Sequence, residues 1–250
     1  MPEQALKDKV TLVTGGAGGI GTAICQHLAA AGATIVVGYR GSRAEAEALA
    51  KALPGEGHIA MPALVESSDA LDTLAVEIED RLGRLDILVN NAGTTRFVPH
   101  NDLDGLDDAL IDQIFRVNWR GPFACVRAFR SLLEAGEGGL VINISSIAGA
   151  TGMGSNIAYC ASKAGLNTMT VSLARALAPK IRVVSVSPGV VETDFTRSFD
   201  ESWRREQESR TPLGRLGHPD DVGKACLAVA ASLTFTTGSI IPIDGGRPLT

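Results

Sequence analysis

The chain has 250 residues, enough for one large α/β domain, and its 28 acidic and 23 basic side chains give a net charge of −5. That balance implies no basic surface for nucleic acid or an anionic membrane. No apolar run is long enough to span a bilayer, and Met1-Pro2-Glu3-Gln4 lacks the pattern of a secretory leader, so the expected location is the cytoplasm.

Short apolar runs alternate with helical stretches along the chain. Residues 10–13 form the first expected strand, followed by a glycine-rich turn and a helix over 20–31 that Gly32 stops. A strand over 33–37 leads to a helix over 42–53, ended by Pro54-Gly55. A weaker strand at 58–61 precedes a helix over 69–82 that stops at Gly83. A strand at 85–89 comes next, then a long helical pattern over 106–134 in which Pro122 marks a kink or break. Strands at 140–144, 182–186 and 240–243 and a helix over 157–177 complete the order. The strands are apolar on both faces, as strands buried between helix layers must be. The expectation is a Rossmann-type, doubly wound parallel sheet of about seven strands with helices on both faces. No repeat, linker or low-complexity tract divides the chain, so residues 1–250 read as one domain. The four cysteines and four histidines share no metal-ligand spacing, and no metal is expected.

The turn Thr14-Gly15-Gly16-Ala17-Gly18-Gly19-Ile20-Gly21 lies between a buried strand and a helix start. Glycines there let the backbone approach a pyrophosphate, and the helix N-terminus offers free N–H groups. Gly15, Gly18, Gly19, Ile20 and Gly21 are therefore candidates for holding a dinucleotide, although Gly15 and Gly19 stand one residue wider apart than usual. The second strand ends in Gly38-Tyr39-Arg40-Gly41-Ser42-Arg43, with no carboxylate to grip ribose hydroxyls. Arg40 and Ser42 would suit a 2′-phosphate, which favours NADP(H) with NAD(H) possible; solvated loop charges are the other reading.

Tyr159 and Lys163, four residues apart, share one helix face. Moving a tyrosine pKa from about 10 to about 7 takes about 4 kcal/mol, and an ammonium about 4 Å away supplies about that much at an effective dielectric of 20. Ser146 follows a buried strand at the edge where such sheets bind ligands.

With these residues, and with Asn90-Asn91-Ala92-Gly93, Asn118, Pro188-Gly189 and Asp244-Gly245-Gly246, the chain resembles a short-chain dehydrogenase/reductase over nearly its whole length. The resemblance implies Tyr159 as general acid/base, Ser146 as the group that orients and polarises a carbonyl, and Lys163 as the group that lowers the tyrosine pKa and holds the nicotinamide ribose. Asn118 would hold a water in a proton relay. Asn91, Ala92 and Gly93 would line the adenosine side, and Pro188, Gly189, Val191 and Thr193 the nicotinamide side. Three positions depart from the family. Leu64, beside Val65, stands where many members have an adenine-contacting Asp. Gly18 replaces the basic residue common in NADP enzymes, and Val184 a common Asn.

Phe195, Phe199 and Trp203 form an i, i+4, i+8 stripe within an expected substrate lid at about 192–212. Phe97 and Met153 extend an apolar pocket, while Arg96, Arg197, Arg204 and Arg205 are candidates for an anionic group or plain surface charges. The family look is nearest the 3-oxoacyl-carrier-protein reductases. Yet Leu133-Glu134-Ala135-Gly136-Glu137 is acidic where those enzymes dock an acidic carrier, and Lys180 alone keeps a basic position. A free ketone therefore ranks first, a carrier-bound 3-oxoacyl group second, and an NAD-dependent alcohol or polyol dehydrogenase third. A non-catalytic cofactor-sensing scaffold is the reading from another class. The resemblance also implies a homotetramer, with Ala161, Ala164 and Gly165 allowing close helix approach.

Overall fold

Seven parallel strands form one sheet in the order β3-β2-β1-β4-β5-β6-β7 in a computed structural model that describes residues 4–193, 196 and 199–249. The strands are β1 (Val10–Val13), β2 (Thr34–Tyr39), β3 (Ile59–Pro62), β4 (Ile87–Asn90), β5 (Gly139–Ile144), β6 (Ile181–Pro188) and β7 (Ile240–Ile243). The order reverses between β1 and β4, so the connections leaving their carboxyl ends diverge and open a crevice.

Alternate strand residues enter opposite helix layers. Val13, Val37, Val89, Ile142 and Val184 pack with helices α1 (Gly19–Ala30) and α2 (Arg43–Ala52). Their neighbours Leu12, Val36, Leu88, Val141 and Val183 pack on the other side with α3 (Ser68–Leu82) and, beyond it, Phe129. That two-sided burial is why each strand reads as an unbroken apolar run.

Helix ends follow local chemistry. Ser67 Oγ accepts from Ala70 N–H at 3.3 Å to start α3, and Gly83 stops it in the left-handed region at φ 70°. Asp107 caps α4 (Asp108–Phe115) through the Leu110 N–H at 2.8 Å. The expected long helix runs on through a bulge just before Pro122, with helical backbone at every junction. A π-turn over Arg116–Arg120 joins α4 to α5 (Gly121–Glu134), the Gly121 N–H reaching five residues back to the Arg116 carbonyl, and Pro122 follows at once. A short α6 (Ala148–Thr151) and the long α7 (Ile157–Leu177) follow β5. Then come α8 (Glu201–Ser209) and α9 (Pro219–Ala231). The four cysteines are free and buried.

Gly15 turns the chain after β1 with φ 61°. A Cβ at Gly21 would lie 2.3 Å from the Gly15 carbonyl oxygen and 2.8 Å from Asn91 Nδ2, so Gly21 lets α1 seat on the turn. A Cβ at Gly18 would meet nothing closer than 3.5 Å. Gly21→Ala is therefore expected to lose about 1–3 kcal/mol of stability in urea denaturation, and Gly18→Ala about 0.5 kcal/mol or less. Equal losses in the two variants would contradict this account of the turn.

Candidate active site

The carboxyl edge of the sheet opens into a cavity of about 790 Å³. Ser146, just past β5, and Tyr159 and Lys163, from the first turns of α7, line it together. Gly93, Pro188, Gly189, Val191, Thr193 and Ile20 line its other side.

Four local devices hold this arrangement. Asn156 caps α7, its Oδ1 accepting from Tyr159 N–H at 2.7 Å while its Nδ2 donates to the Arg96 carbonyl at 2.7 Å. Gly149 lets α6 lie over α7, because a Cβ there would sit 2.6 Å from the Lys163 carbonyl carbon. Lys163 Nζ donates to the Ile144 carbonyl at 2.8 Å. Below them, Asn90 Nδ2 donates to Asn143 Oδ1 at 2.9 Å, and Asn143 Nδ2 to Thr170 Oγ1 at 2.9 Å, a buried polar ladder that joins β4, β5 and α7.

The electrostatics reverse one expectation. Burial pushes the Tyr159 phenol above its usual value, and a hydrogen bond with Ser146 pulls it partly back. Burial also pushes the Lys163 ammonium down to about 8. Nζ lies 5.8 Å from the Tyr159 ring centre and is turned to the Ile144 carbonyl. The charge estimate from spacing alone omitted this shared desolvation, which disfavours phenolate and ammonium alike. In this geometry the serine, not the lysine, is the group that lowers the phenol.

Asn118 is fully buried in the π-turn. Its Oδ1 accepts from Thr94 N–H at 2.8 Å, and its Nδ2 donates to the Thr94 carbonyl at 2.9 Å and to Ser162 Oγ at 3.3 Å. Both amide protons are thus used in clamping the 93–95 segment to α7, so the side chain has no donor left for a water. Pro122 has no N–H to return to the Asn118 carbonyl four residues back.

The dinucleotide side fits an anion. The N-cap of α1, Gly18, supplies no side-chain cap, and its first turn holds no acidic residue, so its N–H groups are open to a phosphate. Asn91 lines the cavity but spends its amide on the turn, donating to the carbonyls of Thr14 at 3.0 Å and Gly15 at 2.9 Å. The Ala92 N–H is bonded to Thr14 Oγ1 at 3.1 Å. Ser42 is exposed at the N-cap of α2. Arg40, its side chain 67% exposed, lies 3.6 Å from the Glu66 carboxylate. The second strand ends without a carboxylate, but Glu66 brings one to Arg40 from the loop after β3, and its charge opposes a 2′-phosphate there. Arg43 is spent on Glu47 at 2.8 Å. Leu64 is surface-exposed, whereas Val65 is buried in the core, so the Val65 side chain faces no ligand.

At the other end, Phe97 meets Phe199 edge-on with centres 6.0 Å apart, and Phe199 stacks on Trp203 at 4.5 Å. Met153 joins them on the cavity wall. Phe195 and Arg197 lie outside the described residues. Arg96 does not belong to the pocket: its guanidinium turns away to Asp107 at 3.1 Å and the Gly105 carbonyl at 3.0 Å. Arg204 pairs with Glu192 and Glu208, and Arg205 with Glu201. Sequence reasoning missed Thr95, His100, Ser155, Gln207, Arg210 and Arg247 on the wall. Gln207 continues the 199, 203 spacing and was legible; nothing local marks Arg247.

The family model described as enoyl-(acyl carrier protein) reductase matches residues 15–247. The 3-oxoacyl-(acyl-carrier-protein) reductase FabG of Aquifex aeolicus is 37% identical over 253 residues, covering 98% of this chain and 99% of that protein. The structure of a Pseudomonas aeruginosa RhlG/NADP active-site complex superposes with a TM-score of 0.91 at 32% identity, covering 99% of each chain. A Brucella melitensis short-chain dehydrogenase/reductase, titled glucose/ribitol dehydrogenase, gives 0.91 at 30% identity and 98% of each.

Lys163 makes stability depend on pH. Its folded value of about 8 lies below the ordinary 10.5, so between these the unfolded chain holds more protons and stability rises with pH. Below pH 8 both states are protonated and the full cost, up to about 3 kcal/mol, is present; above 10.5 it vanishes. Tyr159, shifted up, acts in the opposite sense only above pH 10. The stability of Lys163→Met relative to wild type should therefore fall by up to about 3 kcal/mol between pH 7 and pH 10 in urea titrations. A difference that stays flat across this range would refute the buried-ammonium account.

Proposed function

The chain belongs to the short-chain dehydrogenase/reductase family, and we propose that within it this enzyme reduces a ketone to a secondary alcohol with NADPH. The observation that carries the reading is the meeting of Ser146, Tyr159 and Lys163 on one cavity wall. A phenol is neutral at physiological pH at its ordinary value of about 10 and can give its proton to a carbonyl oxygen as hydride arrives.

The open N-terminus of α1 would hold the cofactor diphosphate, and Lys163 and the 188–193 segment the nicotinamide half. When bound, the reduced nicotinamide supplies the hydride. Tyr159 gives its proton to the carbonyl oxygen. The single Ser146 hydroxyl proton, directed at the phenol in this structure, would turn to the carbonyl oxygen to orient it and return to the phenolate once Tyr159 has given up its proton. Lys163, still largely protonated at neutral pH, provides the neighbouring positive charge as phenolate forms. Asn118 acts as a positioning residue through Thr94 and Ser162. The expected lid at about 192–212 would act through α8 and Phe199, which stand at the aromatic end of the cavity.

The FabG relative and the matching family model favour a second reading, a 3-oxoacyl group carried on an acyl-carrier protein. The acidic stretch at 133–137 opposes such a carrier less than its sequence suggests, since Glu134 is bonded to Arg130 and Glu137 to Lys9. A carrier-bound substrate reduced far faster than the matching free ketone would favour it.

Phe115, Trp119 and Phe123 form an exposed i, i+4, i+8 stripe, with Trp119 lying over Gly165. This supports a homotetramer built through that face. Sedimentation should show it at micromolar concentration, and a monomer there would refute it.

Tyr159→Phe is expected to lose at least 99% of turnover, roughly the hundredfold general-acid contribution, while NADPH binding stays near wild type. Retention of a tenth of wild-type kcat would remove Tyr159 as the acid. For the cofactor, kcat/KM should favour NADPH over NADH by about tenfold or more, the value of one charge-assisted hydrogen bond. Arg40→Ala should erase most of that preference, and Glu66→Gln should strengthen it. Equal or better kcat/KM with NADH would return Arg40 to a plain surface charge.

A further inference from the structure

Thr95 and Ser155 line the cavity but take no part in the chemistry described above. Their neighbours fix where the protons between them go. Asn156 is fully buried, and its Oδ1 accepts from the Tyr159 N–H at 2.7 Å. A backbone N–H can only donate, so the other arm of that amide is the nitrogen. Nδ2 spends one proton on the Arg96 carbonyl at 2.7 Å and the other on Thr95 Oγ1 at 3.2 Å. Thr95 Oγ1 lies 2.5 Å from Ser155 Oγ, a hydrogen bond that uses one of the two hydroxyl protons. Among the described residues neither hydroxyl has a further partner, so one proton is left over. Thr95 already receives a proton from Asn156, which makes its own O–H the better donor. The order is therefore Asn156 to Thr95 to Ser155, and the Ser155 O–H is left for the cavity. The chain is rigid, because the Val98 N–H pins the Ser155 carbonyl at 2.9 Å.

The surroundings of this donor are apolar. Phe97 and Met153, each two residues along the chain from Thr95 or Ser155, also line the cavity. Water satisfies the Ser155 proton while the cavity is open to solvent. A ketone that fills this end drives the water out and strands the donor, unless the ketone itself carries an acceptor there. We propose that Ser155, oriented by Thr95, is a specificity-determining residue that donates a hydrogen bond to a second oxygen of the ketone substrate, apart from the carbonyl that is reduced. This deepens the ketone-reduction reading and rests on it. Ser146 and Tyr159 would hold the reacting carbonyl, and Asn156 ties the second donor to the Tyr159 backbone, so the spacing between the two stations is fixed. The selected substrate is thus an oxygenated ketone and not a plain hydrocarbon one.

The test compares 4-methoxybutan-2-one, 5-methoxypentan-2-one and 6-methoxyhexan-2-one with hexan-2-one, heptan-2-one and octan-2-one, in which a methylene replaces the ether oxygen. All are assayed with NADPH. An ether oxygen accepts, cannot donate, and is close to a methylene in size. A wall without a donor would bury that oxygen unpaired and favour every hydrocarbon ketone by about fivefold or more in kcat/KM. Wild type should instead reduce at least one ether as well as its partner or better, and the length of that ether reports the spacing between the stations. Ser155→Ala combined with Thr95→Val should lower the ether-to-hydrocarbon ratio of that pair by about fivefold or more. Ser155→Thr and Thr95→Ser, which keep both hydroxyls, should hold it within about twofold. A merely structural role would move both ketones of a pair alike and leave the ratio unchanged. Hydrocarbon ketones beating every ether in wild type would overturn the proposal, and that result needs no variant to fold. A ratio that survives in the folded double variant would also overturn it. If no panel member is reduced, the ketone reading is what has failed for this panel. Saturation-transfer NMR on Tyr159→Phe with NADPH then decides the donor separately: an ether bound at least as tightly as its partner supports it, and any other pattern, including no binding, overturns it.

Discussion

Lys163 is a buried ammonium offered a single carbonyl oxygen, that of Ile144, and the site depends on keeping it there. Left to itself, a four-carbon side chain would carry its charge to water. Several contacts prevent this. The Asn143–Thr170 bond sets the height of α7 over β5, Gly149 lets α6 close over the helix, and the Asn156 cap fixes where α7 begins. None of these groups needs to touch a ligand. Together they hold Tyr159 and Ser146 within hydrogen-bond reach of each other, at the price of a desolvated lysine. A site of this kind carries a stability deficit that packing elsewhere must offset.

The other side of the crevice uses backbone where this side uses side chains. The glycine turn has no side-chain donor for a phosphate, so the first N–H groups of α1 take that role. Gly21 and the Asn91 amide bring the turn close enough to α1 for those groups to converge. Asn91 thus acts from beneath the turn, although its motif suggested a residue facing the adenosine.

What the sequence made legible was local. Strand runs apolar on both faces, the turn after β1 and the four-residue spacing of Tyr159 and Lys163 need only neighbouring residues to read, and the sheet forms as they imply. What it hid was set by partners far along the chain. Between an anion site and a plain surface charge, Arg96 is decided by Asp107, eleven residues on, which turns it outward. Glu66 reaches Arg40 only because β2 and β3 are adjacent. Val65 is core because it packs against Gly121. The phenol shift reversed sign because desolvation belongs to the cavity and not to the spacing. Arg247 enters the wall from the last turn of the chain, and no local pattern announces it.

These long-range placements share one electrostatic consequence. The protein is acidic overall, with a net charge of −5, yet the described lining of its cavity holds cations without carboxylates. The acids lie elsewhere, many paired on the surface with basic neighbours such as Arg43, Arg130 and Arg205. The folded chain therefore places positive groups where low dielectric makes charge most expensive. An anionic ligand entering that space removes part of the cost. Binding energy and folding stability are then drawn from the same source, because whatever the empty site loses by holding its charges apart from water is recovered when ligand anions reach them. On this view the desolvated lysine and the open helix end are one design: positive groups held in place by the backbone before a ligand anion arrives.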